Sequence, residues 1–178
     1  MNYRVMPIEE RHIGSYHAAV GSVARERAYL VFLEAPPLES TIDFVRENLR
    51  QGHPQYVALV EDRVVGWCDV TSLRRPAFAH SGVLGLGVVK AYRGQGIGKA
   101  LLRTTLDRAR AIGLTRVELT VRQPKCACRR ALQENRFCRR GREEERRARG
   151  WEVRGSDLYG TAFLMMAALV KRRQRLIV

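Results

Sequence analysis

The feature that most constrains the fold of this chain is a glycine-rich segment, residues 92–99, that joins two regular elements. Before it, the apolar run Val83 to Val89 has no polar interruption, which is typical of a strand buried on both faces. After it, apolar residues recur at helical spacing from about Gly98 to Ile112, and Gly113 suits the end of a helix. The sequence therefore predicts a strand, a tight loop and a helix in immediate succession.

The glycines of this segment predict an anion-binding loop. Gly94, Gly96 and Gly98 alternate, so the backbone can adopt positive φ and approach a ligand closely. The helix that follows adds its N-terminal N–H groups and its dipole. Two familiar phosphate loops are excluded: Lys99 is followed by Ala100 rather than Ser or Thr, and alternating glycines do not fit Gly-x-Gly-x-x-Gly. We interpret the segment as a pyrophosphate cradle.

The rest of the first two-thirds of the chain predicts helices and strands in a mixed order. Pro36-Pro37 interrupts the chain, Ser40 is a candidate N-cap and Gly52 a candidate helix end. The predicted elements are a strand at Tyr3–Ile8, a helix at Glu9–Arg27, a helix at Ser40–Leu49, a hairpin of Tyr56–Val60 and Val64–Val70, a strand at Ser81–Val89 and a strand at Arg116–Val121.

Arg-x-x-Gly-x-Gly between a strand and a helix resembles the acetyl-CoA loop of the GCN5-related N-acetyltransferases (GNAT), with Arg93, Gly96 and Gly98 at its fixed positions. The resemblance covers residues 1–122. It implies an α/β fold with a mixed, mostly antiparallel sheet flanked by helices, in which strands four and five splay apart.

The resemblance also implies a reaction, the direct transfer of an acetyl group from acetyl-CoA to an amine. Its acetyl-CoA would be held in two places. The strand before the loop would pair with the pantetheine arm, as an added strand does, and the loop would bind the pyrophosphate. The implied acetyl-CoA residues are Leu86, Gly87, Val88, Val89, Arg93, Gly94, Gln95, Gly96, Ile97, Gly98 and Lys99.

Two residues are candidates for moving protons. Glu118 would point into the cleft from the fifth strand, or equally to the solvent, because side chains of a strand alternate. His80 would relay a proton from the incoming amine, since the unperturbed pKa of a histidine side chain lies near neutrality, although a lone histidine in a loop is more often exposed or structural. The acceptor pocket cannot be identified from the sequence.

The net charge of +14 raises the question of a nucleic-acid partner. Residues 1–122 contain 17 basic and 12 acidic residues, a net of +5, whereas residues 123–178 contain 15 and 6, a net of +9. The excess is concentrated in the last third, which argues against a basic nucleic-acid surface on the domain. A degenerate acetyl-CoA-binding module with a basic tail, contacting nucleic acid or acidic partners, is the alternative function.

Other cofactors and locations are constrained by composition. The four cysteines form no disulfide framework, and Cys126-x-Cys128 without a nearby histidine is weak support for zinc, so we expect no metal. No segment approaches the roughly 20 apolar residues of a membrane span, and no signal peptide precedes the domain, so we expect a cytoplasmic protein. A homodimer is left open.

Residues 123–178 depart from the family pattern. The family has Asn, Leu-Tyr and Gly-Phe after strand five, with the Tyr often protonating the leaving thiolate. Here the matching positions are Lys125, Ala131-Leu132 and Arg136-Phe137, and only the Phe agrees.

A one-base change of reading frame makes the missing residues available: the codons of Lys125-Cys126 then contain Asn or Ser, and those of Leu132-Gln133 contain Tyr or Cys. We therefore hypothesise that residues from about 123 onward are translated in a shifted frame. A divergent Arg-rich tail is the alternative.

We expect the coding DNA, resequenced from its source, to encode the family ending after Val121, and the mass of the native protein to differ from that of the sequence as written. An uninterrupted gene, with related genes encoding the same Arg-rich ending in frame, would contradict the hypothesis.

Overall fold

A computed structural model describes residues 2–30, 32–72 and 78–119. Its three helices are α1 (Ile13–Ala24), α2 (Leu38–Gln51) and α3 (Ile97–Ala111), and its five strands are β1 (Arg4–Pro7), β2 (Gln55–Val60), β3 (Arg63–Ser72), β4 (Ser81–Val88) and β5 (Arg116–Glu118). A single turn of 3-10 helix at Glu10–His12 precedes α1, and another at Lys90–Tyr92 follows β4.

The five strands form one sheet in sequence order, β1-β2-β3-β4-β5. The first three pairings are antiparallel and the last, between β4 and β5, is parallel. β3 and β4 pair from Gly66↔Val88 to Ser72↔Gly82, whereas β4 and β5 pair only from Ser81↔Arg116 to Val83↔Glu118. This is the mixed, mostly antiparallel sheet that the family resemblance implied, and the described part of β5 pairs with the first residues of β4 only.

Helices cover both faces of the sheet because the strand residues alternate between two apolar clusters. On one face α3 contributes Leu101, Leu102 and Leu106, which pack with Leu84 and Val117. On the other, α1 and α2 pack their own apolar residues against Trp67 and its neighbours in β2 and β3. Strand β4 thus lies between two apolar clusters, as its uninterrupted hydrophobic run predicted.

Several element boundaries differ from the predictions. α2 begins at Leu38, directly after Pro37, whose carbonyl accepts from the Thr41 backbone N–H, so Ser40 lies inside the first turn and the N-cap assignment was wrong. The ring of Pro37 fixes its φ, and this fixes the direction in which the chain enters α2. Gly52 and Gly113 follow α2 and α3 at φ +67° and +89°, which confirms both glycines as helix ends.

Gly87 of β4 leaves room for a side chain of β3 to lie across the strand. Trp67 is the register partner of Gly87, and a Cβ on Gly87 would come within 2.2 Å of Trp67 Cη2. The indole also meets the Tyr16 ring edge-on at 5.8 Å between centroids. The missing side chain of Gly87 thus creates the space that the indole fills.

The chain beyond Leu119 lies outside the described residues, and so do the domain boundary at 122, the end of the predicted fifth strand and the frame-shift hypothesis. Within the described part of the chain, no helix combines the length and apolarity required to cross a bilayer.

We expect Gly87→Ala to lower the free energy of unfolding by about 1–3 kcal/mol, because the methyl group would overlap the buried indole. Gly14→Ala is the matched control: it lies in α1 with no heavy atom within 4 Å of an added Cβ, and it should raise stability by about 0.5–1 kcal/mol. Urea unfolding measures both, and equal effects of the two changes would contradict the packing described.

Candidate functional site

The glycine loop follows β4 and turns directly into α3. Gly94 and Gly96 have φ of +76° and +81°, a region that residues with a Cβ seldom occupy. Gly98 lies within α3 and has no positive φ, so two of the three glycines supply the predicted conformation. The first α-helical bond runs from Ala100 N to Gly96 O, so the N–H groups of Ile97 and Gly98 have no acceptor within the helix. Such a helix start favours an anion.

The Arg93 side chain anchors the loop to the segment after α1. Its Nη1 and Nη2 donate to the two carboxylate oxygens of Glu26 at 2.8 and 2.6 Å, and its Nε donates to the Val88 carbonyl at 2.8 Å. The guanidinium also lies 4.6 Å from the centre of the Tyr29 ring. The sequence indicated Arg93 for the pyrophosphate but not its pairing with Glu26, since no local pattern links residues so far apart.

Among the described residues, β4 has an edge without a strand partner where the resemblance places the pantetheine arm. Beyond Val83 no described residue of β5 pairs with β4, while β3 pairs with it as far as Val88. Leu86 and Val88 are half-buried against the apolar cluster that includes Leu101 and Leu102 of α3, here called the α3 cluster. Val89 packs with the cluster on the other face, formed by α1, α2 and Trp67 and here called the α1 cluster. This edge leads to the glycine loop, so the predicted pantetheine and pyrophosphate residues are contiguous in space.

The two residues predicted to move protons lie at opposite ends of the described β4–β5 pairing. Glu118 is buried, is the register partner of Val83 and pairs its carboxylate with the Arg116 guanidinium on the same face of β5. His80 is exposed at the start of β4, and its carbonyl accepts from the N–H groups of Thr115 and Arg116. It precedes Val83, on the closed side of the β4–β5 junction.

Asp69 is a buried acid that the sequence analysis did not select. It lies on β3 opposite Gly85, and a Cβ on Gly85 would be 2.9 Å from Asp69 Oδ1. Its exposed fraction is 8%, and burial raises the pKa of its carboxyl to about 7. An acidic residue within the apolar run 64–70, opposite a strand with alternate glycines, is the signal that could have identified it.

A buried amide neighbours Asp69 in the sheet. Gln55 is the register partner of Asp69 on β2, its Oε1 accepts from Asn48 Nδ2 at 2.9 Å, and its Nε2 is buried with no hydrogen-bond partner among the described residues. Cys68 faces the α3 cluster, where burial raises the pKa of its thiol. No group of three or more His, Cys, Asp or Glu suited to a metal is found in the part of the chain described.

The sequence profile of the Acetyltransferase (GNAT) family matches residues 23–136, which include the open edge of β4, the glycine loop and α3. The chain belongs to the GNAT acetyltransferase family. The match covers more than half of the chain. No curated protein sequence is a significant match to it.

Solved GNAT structures share this fold. A ribosomal-protein-alanine N-acetyltransferase from Brucella melitensis is 22% identical, with a TM-score of 0.72 over 78% of this chain and 86% of that one. A phosphinothricin acetyltransferase from Sinorhizobium meliloti, solved with acetyl-CoA, is 20% identical, with a TM-score of 0.73 over 79% and 77%. The protein yncA from Salmonella typhimurium, solved with its cofactor acetyl-CoA, is 15% identical, with a TM-score of 0.73 over 79% and 82%. At these identities the likeness establishes the fold.

We expect Glu26→Gln to lower the free energy of unfolding by about 1–2 kcal/mol, between the values for exposed and buried ion pairs, because the Glu26 and Arg93 side chains are only 21% and 26% exposed. Asp107→Asn removes a carboxylate from an exposed pair with Arg110 and should cost less than about 0.5 kcal/mol. Denaturant unfolding of the two variants measures the difference, and equal costs would contradict a structural role for the Arg93–Glu26 pair.

Proposed function

We propose that this protein is an acetyl-CoA-dependent N-acetyltransferase whose acceptor is a primary amine of a small molecule, peptide or protein. Acetyl transfer is the family's general reaction. The observation that carries the proposal is the continuity of the open β4 edge with a loop whose glycines precede a helix N-terminus. A cytoplasmic location suits this reaction and belongs to the same proposal.

The acetyl-CoA residues of the proposal act mainly through the backbone. Residues 86–89 would hydrogen-bond the pantetheine amides as an added strand does. Residues 93–99 would surround the pyrophosphate, with N–H groups from the first turn of α3 and positive charge from Lys99. The Arg93 side chain would contribute indirectly, because its contacts with Glu26 and Val88 hold the loop in position.

The protein's contribution to catalysis is then positioning and proton transfer. The resemblance implies that the amine attacks the thioester directly. This attack depends on holding the amine and the thioester in a fixed geometry and on a backbone N–H near the carbonyl oxygen. Glu118 and His80 stay candidates for proton transfer. Of the two, Glu118 lies nearer the point where β4 and β5 separate.

We expect Gly98→Glu to weaken acetyl-CoA binding about 100-fold or more, because a carboxylate in the first turn of α3 would repel the pyrophosphate. Gly98→Ala is the control: its added Cβ would lie 3.6 Å from Val88 Cγ2, an ordinary contact, and binding should be retained. Calorimetry with acetyl-CoA measures both affinities. Unchanged affinity in Gly98→Glu would refute the site, while binding without amine-dependent release of free thiol would favour a binding module.

A further inference from the structure

We propose that Asp69 is the catalytic base on the acceptor side of this site, receiving a proton from a primary ammonium group that approaches β4 from the α1 face. The inference rests on the proposed acetyltransferase function and deepens it, because it specifies the charge of the acceptor and the face from which it enters.

The position of the Asp69 carboxylate is set by the absence of a side chain on β4. Asp69 pairs with Gly85, and its Oδ1 and Oδ2 lie 2.9 and 3.1 Å from the place that a Gly85 Cβ would occupy. The carboxylate therefore lies over the β4 backbone instead of stopping at β3. Gly85 is two residues beyond Val83, the last residue of β4 paired with the described part of β5. The acid thus lies beside the point where the described pairing of β4 with β5 ends.

The two faces of β4 divide the donor from the acceptor. The glycine loop leads into α3, which packs against the face that carries Leu84. Asp69 lies on the opposite face, with Trp67 over Gly87 and Tyr16 on α1. Acetyl-CoA held along the β4 edge would thus meet its acceptor from the α1 side. An apolar, aromatic wall beside a buried carboxylate suits a primary alkylammonium.

The groups around Asp69 leave its proton available for exchange near neutral pH. Asp69 lies next to Tyr16 of α1 and Gln55 of β2. The Arg116–Glu118 pair lies further along, on β5. Desolvation raises the pKa of the Asp69 carboxyl to about 7, and no cation among the described residues offsets it. Burial also raises the pKa of Tyr16, so this phenol stays neutral. Glu118 has its charge committed to Arg116, which makes it the weaker candidate for the base.

In the proposed step the acetyl group passes from sulfur to nitrogen. The ammonium, R–NH₃⁺, gives one proton to the Asp69 carboxylate and becomes R–NH₂. The amine lone pair forms the C–N bond to the thioester carbonyl carbon, and the C–S bond breaks with its electron pair on sulfur. The second amine proton passes to that sulfur, giving the free thiol and the amide. Asp69 then releases its proton to solvent.

The test compares two small nucleophiles, because no acceptor need be known. Methylamine is protonated at pH 7.5 and needs a base, whereas hydroxylamine is mostly neutral and does not. With acetyl-CoA as donor, Asp69→Asn should lower the methylamine rate about 100-fold, and the hydroxylamine rate by no more than about threefold. The wild-type methylamine rate should rise with pH through about 7, and the variant should lose this rise.

Controls and a second measurement make each outcome decisive. Gly14→Ala should leave both rates unchanged, while Gly85→Ala, which would displace the carboxylate, should lower the methylamine rate with Asp69 present. Carboxyl-carbon NMR of the free protein should show one signal, absent from Asp69→Asn, that titrates near pH 7. A signal that titrates below pH 5, or a full methylamine rate in Asp69→Asn, overturns the role of Asp69 alone. A wild type that accelerates neither nucleophile overturns the proposed function as well.

Discussion

The arrangement of the site depends on an unequal pairing of β4, which is bonded to β3 over seven residue pairs but to the described part of β5 over only three. Beyond these three pairs, the described residues of β5 leave backbone N–H and C=O groups of β4 for another partner, and an extended ligand with amides can supply it. The glycine loop and the start of α3 continue directly from this edge. One interruption in a sheet therefore lines up both predicted acetyl-CoA contacts.

The glycines of β4 have a second consequence on the α1 face. Gly85 and Gly87 lie two residues apart and leave the same face of β4 without side chains. The Asp69 carboxylate and the Trp67 indole of β3 therefore lie across the strand on that face. In an ordinary strand this space would be filled by the β4 side chains, and Asp69 would be kept away from the edge. The buried carboxyl has a raised pKa because water is excluded there. Packing and acid–base chemistry thus share one cause.

Local signals predicted the elements that lie on the chain in sequence. The apolar run, the alternating glycines and the helical spacing after them specified β4, the loop and α3, because each depends on neighbouring residues only. The family resemblance implied a mixed, mostly antiparallel sheet flanked by helices, which the structure confirms. The start of α2 was missed because Pro37 set the helix start and Ser40 was a plausible cap without being the right one.

By itself, the sequence determined the strand–loop–helix unit and predicted an anionic ligand for it, since glycine spacing and helix polarity are local properties. Only the tertiary structure decided which distant groups complete the unit. It paired Arg93 with Glu26, placed His80 beside the first β4–β5 pair and placed Asp69 over Gly85. These contacts arise from sheet register and helix packing, which bring together residues that no pattern along the chain connects.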